Sequence, residues 1–317
     1  GCVQTDLLAI GDIQDPYYRM NERNIQWIDK EDWRYRLSFD VPAEIYSKDN
    51  VFIQFDGLDV FADVTLNGHK IISADNMFRI WKADVKSILK EKDNTLEVYF
   101  HSTTRKGLEL TKDSPYWFHA ANDLSHIGGL FDKKISMYMR KAPYNFGWDW
   151  GPRILTIGIW KQVFMEGWND ARVEYTHYIT ESIDKKKAVV KVEVDALVDK
   201  QITDAELVIK NNDIVLSRQP VILEKGANHL EATFRIKNPR LWWCNGMGEQ
   251  NMYDFSAQIV AENKVIASQN DRIGLRTIRL EQEKDQWGRS FRFILNGVPV
   301  YAKGVNVIPF DNILSDV

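Results

Sequence analysis

The stretch "DVTLNGHKII" (63–72) places an Asn-Gly pair, Asn67-Gly68, between two short runs of β-favouring residues. Both residues accept the positive φ that a two-residue hairpin turn demands, so the stretch predicts an antiparallel hairpin. Working outward, "RYRLSFDV" (34–41), "VFIQFDG" (51–57) and "NTLEVYFHS" (94–102) carry the same alternating or β-rich character, separated by turn residues. Only "KADVKSILKEKDN" (82–94) departs: Val85, Ile88 and Leu89 fall at helical spacing, which predicts at most a short helix or turn. The first part of the chain therefore reads as all-β.

A second β-rich unit follows "IGIWKQVFMEGW" (157–168), which itself returns to strand character after an irregular region. "KAVVKVEVDALV" (187–198), "AELVIKNNDIVLSRQPVIL" (205–223), "NHLEATFRI" (228–236) and "MYDFSAQIVAENKVIASQN" (252–270) complete a series that starts at "NDARVEYTHYIT". About seven short strands over roughly 110 residues predict an immunoglobulin-like sandwich, without the cysteine pair of antibody domains. Few aromatics and no clustered histidines or carboxylates are visible there, which predicts a spacer or packing role. "SFRFILNGVPVYAKGVNVIPFD" (290–311) then repeats the hairpin signal at Asn296-Gly297 and adds one more apolar run.

With 317 residues the chain is about twice the usual domain length. Its 44% hydrophobic and 27% charged residues are ordinary for a globular protein with a core. Net charge is −4, with basic and acidic residues interspersed, so nucleic acid gains no support as a partner. No run approaches the length of about 18 apolar residues that a membrane span needs. Two cysteines, Cys2 and Cys244, can form neither a disulfide framework nor a CxxC metal site. The six histidines include no HxH or HxxxH pair, and neither GxSxG nor a P-loop occurs. Zinc catalysis, serine hydrolysis of that type and nucleotide chemistry thus lose their sequence support.

Between 103 and about 153 Gly, Pro, His, Asn and aromatics crowd together without a period, and a region of that length inside a domain points to an ordered functional loop. Within it stands "YNFGWDWGPR" (144–153), where Trp148 and Trp150 flank Asp149 in a segment broken by Gly147, Gly151 and Pro152. A carboxylate accepts hydrogen bonds from adjacent hydroxyls, and a neighbouring aromatic ring covers the apolar face of a sugar. On the residues alone an Asp149–Arg153 ion pair tying down a loop, with both tryptophans in the core, competes with that reading. Tyr116, Trp117 and Phe118 are expected to pack rather than to meet a ligand.

"YNFGWDWGPR" resembles the signature of the β-mannosidases of glycoside hydrolase family 2. "QTDLLAIGDIQDPYYRMNERNIQWIDKEDWRYRLSFDV" (4–41), "LWWCNGMGEQNMYDF" (241–255), "GLRTIRL" (274–280) and "FILNGVPVYAKGVNVIPFD" (293–311) are similar to further segments of that family, with Cys244, Met252 and Val307 departing from its usual residues. The resemblance spans essentially the whole chain. It implies a jelly-roll, galactose-binding-like sandwich over 1–167, expected to lack its first strand, and an immunoglobulin-like sandwich over 168–281. Residues 282–317 would be the lead-in and first strand of a truncated (β/α)8 barrel. By the same resemblance Cys2 lies inside a domain, and Trp242 and Trp243 pack the second sandwich or its joint with the barrel.

In that family a barrel carries two glutamates, acid/base and nucleophile, roughly 5 Å apart in retaining enzymes. The resemblance places neither in this chain, so no catalytic residue is expected here. It implies that Asp149 holds hydroxyls of a terminal β-mannoside, that Trp148 and Trp150 shape the pocket wall, and that Asn145 and Arg153 support them. No cofactor and no metal are implied. The partners implied are β-mannosides or mannose-containing oligosaccharides, in a periplasmic, secreted or lysosomal compartment, with the oligomeric state open. A stand-alone carbohydrate-binding or interaction module, and another family 2 specificity toward galactosides or glucuronides, are the alternatives.

Overall fold

The hairpin at Asn67-Gly68 is formed in a computed structural model that describes residues 1–116, 118–184 and 186–316. Both turn residues have positive φ, +52° and +83°, as a type I′ turn requires. The chain divides into two compact units, residues 1–167 with 307–317, and residues 168–306. Among the described residues no helix is long and apolar enough to cross a membrane.

The first unit is built from β1 (Trp33–Phe39), β2 (Asn50–Phe55), β3 (Ala62–Leu66), β4 (His69–Ala74), β5 (Trp81–Asp84), β6 (Asn94–Phe100) and β7 (Val163–Trp168). One sheet has the order β1-β6-β3-β4 and the other β5-β2-β7. Inward and outward side chains alternate along β2, β3 and β6, which is the period that buries one face of each sheet. Val51, Ile53, Phe55, Val64, Leu66, Val98 and Phe100 fill the core between them. Helix α1 (Val3–Ala9) docks through backbone and side chain, Val3 N donating to Ile157 O at 2.8 Å and Gln4 Nε2 to Leu155 O at 2.7 Å. Cys2 is buried in that core, as the resemblance implies. The 82–94 stretch contributes β5 and then a turn closed on Val85 O, and a short helix α2 (Ala43–Tyr46) bridges β1 and β2.

The irregular region corrects one expectation. It begins with a regular ten-residue helix, α3 (Thr103–Lys112), whose first turn is capped by Ser102 Oγ accepting from Arg105 N at 3.0 Å. Gly107 in its middle hides the helix from a propensity reading. The glycine stands where the helix packs closely, since a Cβ there would lie 2.6 Å from Met139 Cε and 3.1 Å from Ile135 Cβ. Beyond α3 the region is non-repetitive but tied down: Asp123 Oδ2 accepts from Ile135 N and Ser136 N, and Leu124 N donates to Phe146 O.

The second unit has the seven expected strands: β8 (Ala171–Ile183), β9 (Lys187–Val198), β10 (Ile202–Asn211), β11 (Ile214–Leu223), β12 (Gly226–Lys237), β13 (Tyr253–Ala261) and β14 (Lys264–Ile273). They form sheets of order β12-β9-β8 and β11-β10-β13-β14, with every recorded pairing antiparallel. This is the strand exchange of an immunoglobulin-like sandwich. Val190, Val192, Val194, Leu207, Ile209 and Ile259 make its core, together with Phe255, on which Tyr178 and Tyr253 stack. Three further strands, β15 (Ile278–Glu281), β16 (Arg292–Leu295) and β17 (Val298–Val300), form a small sheet whose last turn is the expected Asn296-Gly297 hairpin. Trp242 lies on Gly274, where a Cβ would meet its ring at 2.8 Å, and Trp243 lies on Gly248. Residues 301–309 adopt no strand, and Val305 and Val307 are exposed. A parallel barrel strand is covered on both faces and needs a neighbour on its edges, and no described segment supplies one.

The second unit also corrects the absence of clustered histidines and carboxylates. Antiparallel register sets Glu193 opposite both His177 and Glu231, and His229 opposite Asp195. The cluster of Glu193, His229 and Glu231 has the spacing of a metal site, but Lys191 Nζ sits in it, 2.9 Å from Glu193 and 2.7 Å from Glu231. It is a solvated ion-pair ladder on the outer face of the sheet.

Candidate functional site

Asp149 stands at the tip of a tight turn. Trp148 N donates to Gly151 O at 3.1 Å and Gly151 N donates back to Trp148 O at 3.4 Å, while Phe146 and Arg153 form an antiparallel bridge behind them. Two reciprocal bonds leave Asp149 and Trp150 as the loop residues of a miniature hairpin, so their side chains project away from the core. Gly147 makes the approach possible: its φ is +95°, and a Cβ would lie 2.6 Å from Leu124.

The Asp149 carboxylate is exposed, and no described residue bonds to it. Trp148 and Trp150 are half-buried, with ring centroids 6.4 Å apart, and Tyr144 continues the row 5.9 Å from Trp150. The tryptophans are therefore not core residues; half-buried, they stand on either side of Asp149 in the surface turn. Burial raises the Tyr144 phenol above its usual range, with Asp59 and Asp311 adding to it, so it stays a hydrogen-bond donor at physiological pH.

Arg153 points the other way. It is buried, and its Nη2 lies 3.1 Å from Asp29 Oδ2, with Nη1 donating to Gln26 Oε1. Its backbone N donates to Glu22 Oε1 at 2.6 Å and its carbonyl accepts from Gln26 Nε2 at 2.9 Å. Thr104 Oγ1 donates to the same Asp29 Oδ2, and Gly128 covers the guanidinium, where a Cβ would lie 2.6 Å from Cζ. The Asp149–Arg153 pair that competed on sequence grounds is absent. A second buried pair lies deeper, Lys141 Nζ donating to Asp59 Oδ1 at 2.7 Å and to Thr156 O at 2.9 Å. Burial pulls the Lys141 ammonium below the ordinary lysine range, against the opposing pull of Asp59.

Asn145 is also buried, its Nδ2 donating to Asn312 O at 2.8 Å. Beside the turn opens a cleft of about 520 Å³ lined chiefly by Tyr17, Trp150, Pro152, Phe310 and Asp311. Tyr17 donates to Asp311, and burial together with that carboxylate pushes its phenol well above the ordinary range. Of the five residues expected at the site, Trp148, Asp149 and Trp150 are brought together on the surface, while Asn145 and Arg153 lie beneath it. Sequence reading missed Tyr17, Asp311 and Asn312, which no local pattern joins to residue 150. Trp117 lies outside the described residues. Tyr116 and Phe118 are 72% and 47% exposed; Phe118 packs edge-on against Tyr138 and donates its N–H to Tyr138 Oη at 3.2 Å.

Fold and site define a protein of two antiparallel sandwiches, the first presenting a carboxylate between aromatic rings on a surface turn. The glycosyl hydrolase 2 galactose-binding domain-like family matches residues 1–161, and the glycosyl hydrolases family 2 description matches residues 171–276. The chain belongs to glycosyl hydrolase family 2. It is 31% identical to beta-mannosidase B of Emericella nidulans and 34% identical to that of Aspergillus oryzae, over 99% and 98% of this chain and 36% of each relative. Among solved structures it is similar to beta-D-mannosidase from Dictyoglomus thermophilum, with a TM-score of 0.88 and 36% identity over 100% of this chain and 38% of that one. The exo-chitosanase CsxA of Amycolatopsis orientalis shares the fold, with a TM-score of 0.72 at 19% identity over 99% of this chain and 33% of that one. The chain thus spans little more than a third of the length of the relatives it matches.

Proposed function

We propose that this chain is the sugar-binding part of an exo-β-mannosidase that hydrolyses terminal β-D-mannosyl residues with retention of configuration. Asp149 accepts hydrogen bonds from hydroxyls of the mannosyl ring, and Trp148 and Trp150 cover its apolar face and exclude water. Asn145 and Arg153 act from beneath, holding the turn. The reaction itself needs a carboxylic acid and a carboxylate flanking the glycosidic bond, and these belong to a barrel outside these residues. The chain alone therefore binds mannosides weakly and hydrolyses none.

The observation that carries this reading is the unpaired, exposed Asp149 held on a two-bond turn between two tryptophans, in a chain resembling β-mannosidases over its whole length. The test compares the full-length protein with the 317-residue chain on aryl β-mannosides, β-galactosides and β-glucuronides. Hydrolysis of the mannoside by the full-length protein alone, with the β-anomer of mannose released first, is expected. Turnover by the isolated chain, or a preference for galactoside or glucuronide, would overturn it.

A further inference from the structure

The turn that carries Asp149 is fastened from an unexpected direction. Asn312 lies in the segment 307–317, far along the chain from the turn, and is nearly inaccessible to solvent. Its Nδ2 donates to Pro152 O at 2.6 Å, its backbone carbonyl accepts from Asn145 Nδ2 at 2.8 Å, and its backbone N–H meets Tyr17 Oη at 3.3 Å. One residue thus joins the outgoing limb of the turn, the incoming limb and the Tyr17 loop. Gly151 makes room for it: a Cβ there would lie 3.1 Å from Asn312 Oδ1.

Asn145 depends on the same contact. Its Oδ1 is buried without a hydrogen-bond partner, so the bond to the Asn312 backbone carbonyl is what orients this carboxamide. A buried amide held by one bond is oriented only as long as its acceptor is in place. Asp311, the residue before Asn312, accepts from Tyr17 Oη and from Ile313 N, which fixes the segment at the point where Asn312 enters.

We infer that Asn312 is a positioning residue for Asp149: seating of the 311–313 segment sets the geometry of the Trp148–Gly151 turn, and with it the place of the sugar-contacting carboxylate. The inference rests on the proposed role of Asp149 in mannoside binding. It makes the turn conditional on the 311–313 segment, so that Asp149 is aimed only when that segment is docked.

A double-mutant cycle in the full-length protein tests it, with kcat/KM for an aryl β-mannoside as the readout. Asn312→Ala in the parent is expected to lower kcat/KM roughly ten- to hundredfold, as a displacement on the order of 1 Å does at a binding group. In an Asp149→Ala background the same change is expected to cost clearly less, because the carboxylate it positions is gone and only Trp148 and Trp150 are left to be displaced. Asn312→Asp, which keeps the outline and replaces the donor to Pro152 O by an acceptor, serves where the alanine variant does not fold, with the same expectation. An equal fold-loss in both backgrounds would overturn the positioning role. If Asp149→Ala alone leaves kcat/KM unchanged, it is the sugar-binding reading that fails. Positioning is then decided by fluorine NMR of the 5-fluorotryptophan-labelled chain: Asn312→Asp must shift the Trp148 and Trp150 resonances and leave that of Trp243 in place, and unmoved resonances sink it.

Discussion

Arg153 donates to Asp29 and not to Asp149: its Nη2 lies 3.1 Å from Asp29 Oδ2, and both side chains are buried. The five-residue span from Asp149 to Arg153 suggests a local pair, but the turn sends the two side chains to opposite sides of the backbone. One charged group is thereby consumed by the scaffold and the other left free at the surface. The same motif that presents the exposed carboxylate also anchors it, through Gln26 and Asp29 on the short helical turns near Trp27.

Removing the guanidinium tests the anchor. Arg153→Met leaves the Asp29 carboxylate buried with the Thr104 hydroxyl as its remaining side-chain donor, and breaking a buried pair from one side costs about 3–5 kcal/mol. Urea unfolding of the chain is expected to show that loss. A midpoint unchanged from the parent would mean that Asp29 relaxes to solvent and that the pair anchors nothing.

Gly147 and Gly68 separate conformation from space. Both have positive φ, +95° and +83°, but a Cβ at 147 would lie 2.6 Å from Leu124, whereas at 68 nothing lies within 4 Å. Gly68→Ala is expected to cost about 1–2 kcal/mol, the strain of a left-handed residue. Gly147→Ala adds overpacking of about 1–3 kcal/mol to a similar strain. Thermal unfolding of the two variants side by side checks the difference, and equal losses would show that Leu124 yields freely.

What the sequence discloses follows from the range of the physics involved. The Asn67-Gly68 and Asn296-Gly297 hairpins and the seven strands of the second unit are local, and each is legible from a few residues. Helix α3 is not, because Gly107 lowers its propensity at the point where the helix packs on Ile135 and Met139, a tertiary contact. The ladder of His177, Glu193 and Glu231 arises from strand register, and Arg153–Asp29 and Asn312–Pro152 from chain closure over more than a hundred residues. No periodicity encodes such pairs. At the site, the chemistry of Trp148, Asp149 and Trp150 is legible in one motif, while the residues that aim it are scattered.

Acid stability is expected to depend on Asp63. Desolvation raises its carboxyl, but hydrogen bonds from Lys70, Ser73 and His101 outweigh this and hold it down to about 2, against an ordinary 3.8. The folded value lies below the unfolded one, so the unfolded chain binds more protons between them; the contribution is present above 3.8 and is lost as pH falls toward 2. Because the carboxylate is partly solvated, with 29% of the side chain exposed, the contribution is about 1 kcal/mol or less. Asp63→Asn should lower stability by that amount at neutral pH and flatten the acid limb over this window. Parallel acid limbs in the two proteins would contradict it.

Asp149 is expected to separate function from stability. Its carboxylate is exposed and bonded to no described residue, and the turn beneath it is closed by backbone atoms of Trp148 and Gly151. Asp149→Ala therefore removes no contact that holds the fold, and surface changes of this kind stay within about 0.5 kcal/mol. In the proposed role the same change removes charge-assisted hydrogen bonds to sugar hydroxyls, each contributing about 1.5–3 kcal/mol. At about 1.4 kcal/mol per tenfold, kcat/KM of the full-length protein for an aryl β-mannoside should fall at least tenfold. Asp149→Asn keeps one acceptor oxygen and should lie between the two. A thermal midpoint that drops with the activity would move Asp149 from the substrate to the scaffold, whereas loss of activity at an unchanged midpoint assigns it to the sugar.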